Sequence, residues 1–480
     1  PPSEHYYKTP LKTHPQSQQR ETVVASISNI LIFFPVVSSL GTSNMGKLIL
    51  TAGLCLLMTS MASSYKLVCY YTSWSNYRTG EGKLTPSDVD PFQCTHLIFA
   101  FASINYDNEL IPGDQRDIES YKTFNGLKDR NPDLKTLLAV GGQTFCKSQF
   151  RSMASTKAKR DRFIKSSIQL LRNYGFDGIN LDWQFPTNSR RKFTWLCKEL
   201  LRAFSKEAEE TGSPRLLVTS AVSASKGIID ESYEMAKIAN YLDFLNVMTY
   251  NFHGFWDSVT GHHSPLDQRT ADDQLNTAFA MKYWQDQGVP AEKLILGLAA
   301  FGRTFTLSTT SSGVGAPISN VGKAGPYTME AGSLSYYEVC LALEGKQIEW
   351  ITDQKVPYGV AGDQWIGFDN KESIDAKVKH VKDNNLGGVF VWSLDHDDFN
   401  GNFCKEGKYP LVSHLRSILV PGTSADFCKG KNDGNYPIPN DPYSFYQCSN
   451  GVSYTQKCQG TLVYNPSCDC CNWPQVGVHP

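Results

Sequence analysis

Eight apolar runs rich in β-branched and aromatic residues recur along the middle of the chain. They are 66–71 (KLVCYY), 95–102 (THLIFAFA), 134–142 (LKTLLAVGG), 176–183 (FDGINLDW), 215–222 (RLLVTSAV), 243–250 (DFLNVMTY), 293–300 (KLILGLAA) and 386–393 (LGGVFVWS). Helical patterns separate several of them, at 160–173, 191–210, 271–287 and 371–384. Strand and helix in alternation predict a parallel sheet and an α/β fold. Eight such units in roughly 350 residues fit a (β/α)8 TIM barrel over 65–417, with a doubly wound open sheet as the alternative. The long gap after the seventh run predicts an α+β subdomain, about 301–385, inserted between strands 7 and 8 beside the barrel mouth. Residues 418–427 carry Pro421, Gly422, Thr423 and Ser424 and read as a linker.

Charge removes one class of partner. With 46 Lys and Arg against 47 Asp and Glu, the formal charge is -1, which leaves no electrostatic reason to bind nucleic acid or an anionic membrane. Residues 45–64 place Lys47 after Met45, an apolar run from Leu48 to Met58, and small residues before Tyr65. That is the pattern of a secretory signal peptide, too short to span a bilayer. Residues 1–44 read as upstream sequence and receive no function. Of 13 cysteines, Cys55 falls in the expected leader, and an even number remains in a chain expected to be exported and extracellular. Six of these, Cys428, Cys448, Cys458, Cys468, Cys470 and Cys471, crowd into a separate disulfide-rich β module over 428–474. A zinc knot is the alternative there, disfavoured because the cysteine cluster has no neighbouring His; no metal and no cofactor is expected.

In 176–186 (FDGINLDWQFP) alternate side chains share a face, so Asn180, Asp182 and Gln184 form a polar row opposite Ile179, Leu181, Trp183 and Phe185. In a barrel the polar row points into the mouth, where active sites form. The pattern resembles the D-x-x-D-x-D-x-E motif of the family 18 glycoside hydrolases, the chitinases and chitinase-like lectins. The resemblance extends through YKLVCYYTSWSNYR (65–78), HLIFAFA (96–102), MTYNFHG (248–254), KLILGLAAFGRTF (293–305) and GGVFVWSLDHDDFNG (387–401).

It implies a substrate-assisted reaction in which the acetamido oxygen of the sugar attacks and the protein supplies an acid. The acid position falls on Gln184, the orienting Asp on Asp182 and the acetamide-holding Tyr on Tyr250. Asp177 matches the motif's first Asp and joins the candidate catalytic group, while Asn180 and Asn251 stand where the family has Asp. Phe301 replaces a usual Tyr, and Gln143 a usual Trp. An amide donates a hydrogen bond but releases no proton in the accessible pH range, so turnover is expected to be lost or nearly so. Asn180, Gln184 and Asn251 all keep the shape of an acid while removing its charge, which suits an uncharged sugar.

Tyr70, Trp74, Phe101, Trp256 and Trp392 lie at or beyond strand ends, where flat rings support pyranose faces. The resemblance adds Arg303 as a polar cleft residue, and pairs Cys69 with Cys94 and Cys340 with Cys404. Cys146 and Cys197 match no family pair and are left open between pairing and free thiols. The terminal segment 427–474 resembles the peritrophin-type chitin-binding module, with Tyr446 and Trp473 as expected exposed stacking residues and Tyr464 able to exchange roles with them. The expectation is a secreted, monomeric lectin for chitin or N-acetylglucosamine oligomers. A weakly active chitinase is the alternative, and a partner protein without sugar affinity the third class.

Overall fold

The computed structural model describes residues 65–420, 427–428, 430–438, 441–449, 451–459 and 462–473. The expected leader, the upstream segment and residues 421–426 of the expected linker lie outside the described residues.

Eight parallel strands follow the eight apolar runs: β1 Lys66–Thr72, β2 His96–Ile104, β3 Lys135–Gly141, β4 Gly178–Asp182, β5 Leu217–Ser223, β6 Phe244–Met248, β7 Leu294–Ala299 and β8 Gly388–Trp392. Each pairs in parallel with the next, and β8 pairs with β1, so the sheet closes into a barrel. Closure excludes the open-sheet alternative. The apolar runs are continuous because both faces are covered. In β1, Leu67, Cys69 and Tyr71 pack outward with the helices, while Val68 and Tyr70 join Ile98, Leu137, Phe244, Ile295 and Phe390 inside the barrel.

The helices have local causes. Thr156 caps Lys157–Tyr174 by accepting from the Lys159 amide, and Gly175 ends it at φ +77°. The expected helix from 271 starts only at Thr277–Asp286, because the Asn276 side chain accepts from the Phe279 amide and fixes the first turn there. The insertion is an antiparallel sheet of Phe301–Leu307, Ile318–Val321, Ser333–Ser335, Ile348–Ile351, Val356–Ala361 and Gln364–Gly367, with one helix, Tyr336–Ala342. It ends near 367 rather than 385, since Lys371–Asp383 packs Ile374, Val378 and Val381 into the barrel's outer core. At that junction the fully buried Lys377 ammonium meets Asp369 at 2.5 Å, and Ser264 and Ser373 also donate to Asp369.

Cys69 pairs with Cys94 and Cys340 with Cys404, as the resemblance implies. Cys146 is an exposed thiol and Cys197 a buried one, so they do not pair with one another. The helix Pro410–Leu419 takes in the first two residues of the expected linker. Beyond it, strands Gly434–Ile438, Asp441–Ser449 and Val452–Lys457 form a three-stranded sheet, and Val463–Asn465 pairs with Cys470–Asn472. Disulfides Cys428–Cys448, Cys458–Cys471 and Cys468–Cys470 staple this module, which leaves no cysteine there for zinc.

Candidate functional site

The fourth strand delivers the polar row as its alternation requires. Asn180 is fully buried; it accepts from the Tyr70 hydroxyl at 3.1 Å and donates to Thr219 Oγ1 at 2.9 Å. Asn246, on the inward face of β6, donates to the same Tyr70 hydroxyl at 2.9 Å. Asp182 ends β4, and Gln184 follows, its Nε2 donating to Asp182 Oδ1 at 2.8 Å. Burial pushes the Asp182 carboxyl up to about 6, against the opposing effect of the Gln184 hydrogen bond. The Gln184 nitrogen also lies 3.6 Å from Met248 Sδ, at the end of β6.

Tyr250 follows β6 and is 7% exposed, its ring edge-on to Phe301 at 5.8 Å and Phe390 at 5.9 Å. Burial first, then the nearby Tyr70 and Asp182, raise its phenol well above the ordinary value, so it stays a hydrogen-bond donor. Asn251 adopts φ +59°, a left-handed conformation that Asn tolerates, and accepts from Arg303 Nε at 2.9 Å. Arg303 thereby ties the sixth-strand loop to the first strand of the insertion, with Glu330 3.7 Å away. Phe301 opens that strand, and its ring lies over the buried His263 at 5.0 Å.

Three rings gather where β8, β1 and β2 end. Trp74 stacks on Phe101 at 6.0 Å, Phe101 on Trp392 at 5.8 Å, and Trp74 lies 6.3 Å from Trp392. Trp74 is 41% exposed, so the cluster presents a flat apolar face to solvent. Trp256 is half-buried in the loop after β6, edge-on to the exposed Phe255 at 4.9 Å.

Three expected site residues stand elsewhere. Asp177 is not in the mouth: it precedes β4 at the opposite end of the barrel, about 17 Å from Asp182 at roughly 3.3 Å per residue. There it accepts from the Thr136 amide at 2.8 Å and pairs with Lys128 at 3.0 Å, fastening neighbouring strands. Gly178 beside it has no room for a side chain, since a Cβ would sit 2.5 Å from the Leu217 carbonyl oxygen. Tyr70 offers no stacking face, because its mid-strand position buries it beneath Trp392, whose ring lies 5.1 Å away. In the module, Tyr446 is half-buried against Phe427 at 4.4 Å rather than exposed. Tyr464 is core, stacked on Phe445, whereas Trp473 is 69% exposed as expected. Tyr443 and Tyr454 are exposed large rings in the module, and Asn246, Met248 and Phe255 join the mouth without a motif in the sequence to mark them. The period-2 alternation of Phe244, Asn246 and Met248 was the available signal for the first two.

Among the described residues no cluster of His, Cys, Asp and Glu has the form of a metal site, and no helix is long and apolar enough to cross a membrane.

Residues 66–397 match the model of glycosyl hydrolases family 18, and residues 428–477 match the chitin binding peritrophin-A domain. The chain is similar to chitotriosidase-1 of Mus musculus, 43% identical over 456 residues that cover 87% of this chain and 97% of that protein. It is equally similar to chitinase-3-like protein 2 of Homo sapiens, 43% identical over 79% of this chain and 99% of that one. Among solved structures, human YKL-39, described as a pseudo-chitinase with retained chitooligosaccharide binding properties, matches with a TM-score of 0.72 and 44% identity, covering 74% of this chain and 100% of its own. A Group IV chitinase of Ostrinia furnacalis in complex with allosamidin matches with a TM-score of 0.70 and 38% identity, covering 74% and 99%.

Proposed function

From the premise that this chain belongs to glycosyl hydrolase family 18 and carries a C-terminal chitin-binding peritrophin-A domain, we propose that it is a secreted lectin for chitin and its oligomers, without hydrolytic turnover. The observation that carries the proposal is the amide of Gln184, bonded to Asp182 where an active relative needs a proton donor. General acid catalysis contributes about 10²–10⁴-fold, and a sugar alkoxide leaves badly without it.

Binding survives the loss. Asp182 accepts from an acetamido N–H, the Tyr250 hydroxyl donates to the acetamido oxygen, and Trp392 with Trp74 and Phe101 supports the sugar faces. Trp473 of the module adds a second, solvent-facing platform, and two linked sites gain by avidity on a polymer that both reach. Five disulfides among the described residues suit an oxidising extracellular setting.

Calorimetric binding and chromatographic product analysis on one soluble chitin oligomer test this reading. The expected result is saturable binding with no shortened products; turnover within about tenfold of an active relative overturns it. One observation favours a weak chitinase instead: Asp182, titrating near 6, holds a proton in mildly acid solution. Residual hydrolysis abolished by Asp182→Asn marks that reading.

A further inference from the structure

Gln184 does not choose freely which end of its amide faces the groove. Above pH 6 or so, Asp182 is ionised and accepts only, so it holds the Gln184 nitrogen. The same nitrogen faces Met248 Sδ, and both of its protons are directed into the protein. The amide is planar, so the carbonyl Oε1 turns the other way. Among the described residues it accepts no hydrogen bond, and it is not one of the sealed polar atoms. Gln184 therefore presents an acceptor to the mouth.

We propose that the groove reads the reducing end of an N-acetylglucosamine chain, the free anomeric hydroxyl donating to Gln184 Oε1. This rests on the sugar-binding reading above and deepens it by naming the ligand's terminus. A glycosidic oxygen carries lone pairs and no proton. Set against Gln184 Oε1 it leaves two acceptors facing one another, each desolvated and unpaired. An anomeric hydroxyl at the same place supplies the missing proton. Sites built to hydrogen-bond a hydroxyl reject analogues that lack it, because the protein group is then stranded. The supporting rings stand on the arc of β8, β1 and β2, with β8 opposite β4 in the barrel.

The experiment compares chitotetraose with its methyl β-glycoside on the full-length protein at pH 8, by calorimetry. The expected result is at least tenfold weaker binding of the glycoside, equivalent to about 1.4 kcal/mol. Gln184→Met, checked for folding by circular dichroism, removes the acceptor and makes the two affinities equal, which excludes simple crowding by the methyl group. Equal affinities in the wild-type protein, or a preference that persists in Gln184→Met, overturn the inference while leaving the lectin reading intact. Binding of neither ligand overturns both.

Discussion

Replacing Gln184 by Glu places a second carboxyl beside Asp182, whose oxygen now stands 2.8 Å from the Gln184 nitrogen. Two charges about 4 Å apart at an effective dielectric of 20 repel by about 4 kcal/mol. That is about three pK units at 1.36 kcal/mol each. Burial already pushes Asp182 up to about 6, so the pair holds a shared proton well above the ordinary carboxylate range. The variant thus regains a proton donor, worth on the order of 10²-fold in hydrolysis over the wild-type background. Recovery should stop at least about tenfold short of an active relative. Asn180 is committed to Tyr70 and Thr219 and draws no charge from Asp182, and Phe301 brings no hydroxyl to Tyr250. Release of a fluorophore from a chitotriose glycoside between pH 4 and 10 reads the outcome, with activity falling on the alkaline side as the shared proton is lost. Full recovery refutes the need for the coupled changes. Background turnover with binding retained refutes the primacy of the missing acid.

Three other predictions concern stability and avidity. Lys377→Met strands Asp369 as an uncompensated buried charge, and urea unfolding should show a loss of about 3–5 kcal/mol; a loss under about 1 kcal/mol counts against it. Burial raises the Asp182 carboxyl from 3.8 to about 6, so the folded state binds its proton more tightly than the unfolded chain. That contribution is full below pH 4 and is lost as pH rises through 6; Asp182→Asn should therefore stabilise by up to about 3 kcal/mol at pH 8 and little at pH 4. Equal effects at both pH values reject the assignment. Deleting residues 428–480 should weaken adsorption to solid chitin more than binding of a soluble oligomer, and equal losses argue against two independent sites.

The barrel was legible because its strands are buried on both faces and read as apolar runs, as in β7, where every residue is buried. The insertion's end was not: Lys371–Asp383 carries the same helical pattern whether it belongs to the subdomain or to the barrel, and only Ile374, Val378 and Val381 meeting the outer core decide it. The mouth was legible in Asp182, Gln184 and Tyr250, where strand parity fixes direction. Parity also places Asp177 off the row of Asn180, and its place before the start of β4 puts it at the end of the barrel away from the mouth. Ring exposure was the least legible. Tyr446 and Trp473 are both aromatics of the module in sequence, yet Tyr446 packs half-buried against the Phe427 ring while Trp473 stays exposed.

The hydrogens around Asn180 all run in one direction. Asn246 gives to Tyr70, Tyr70 to Asn180, Asn180 to Thr219, and Thr219 to the Ile179 carbonyl at 3.1 Å. Such a row is polarised from end to end, each link strengthening its neighbour. An aspartate at 180 has nothing to give onward, so Thr219 would have to reverse and abandon Ile179. An acid at this place would therefore leave the Asn246 and Tyr70 links as they stand and cost only the last one, the Ile179 carbonyl losing its hydroxyl donor as Thr219 turns to the carboxylate.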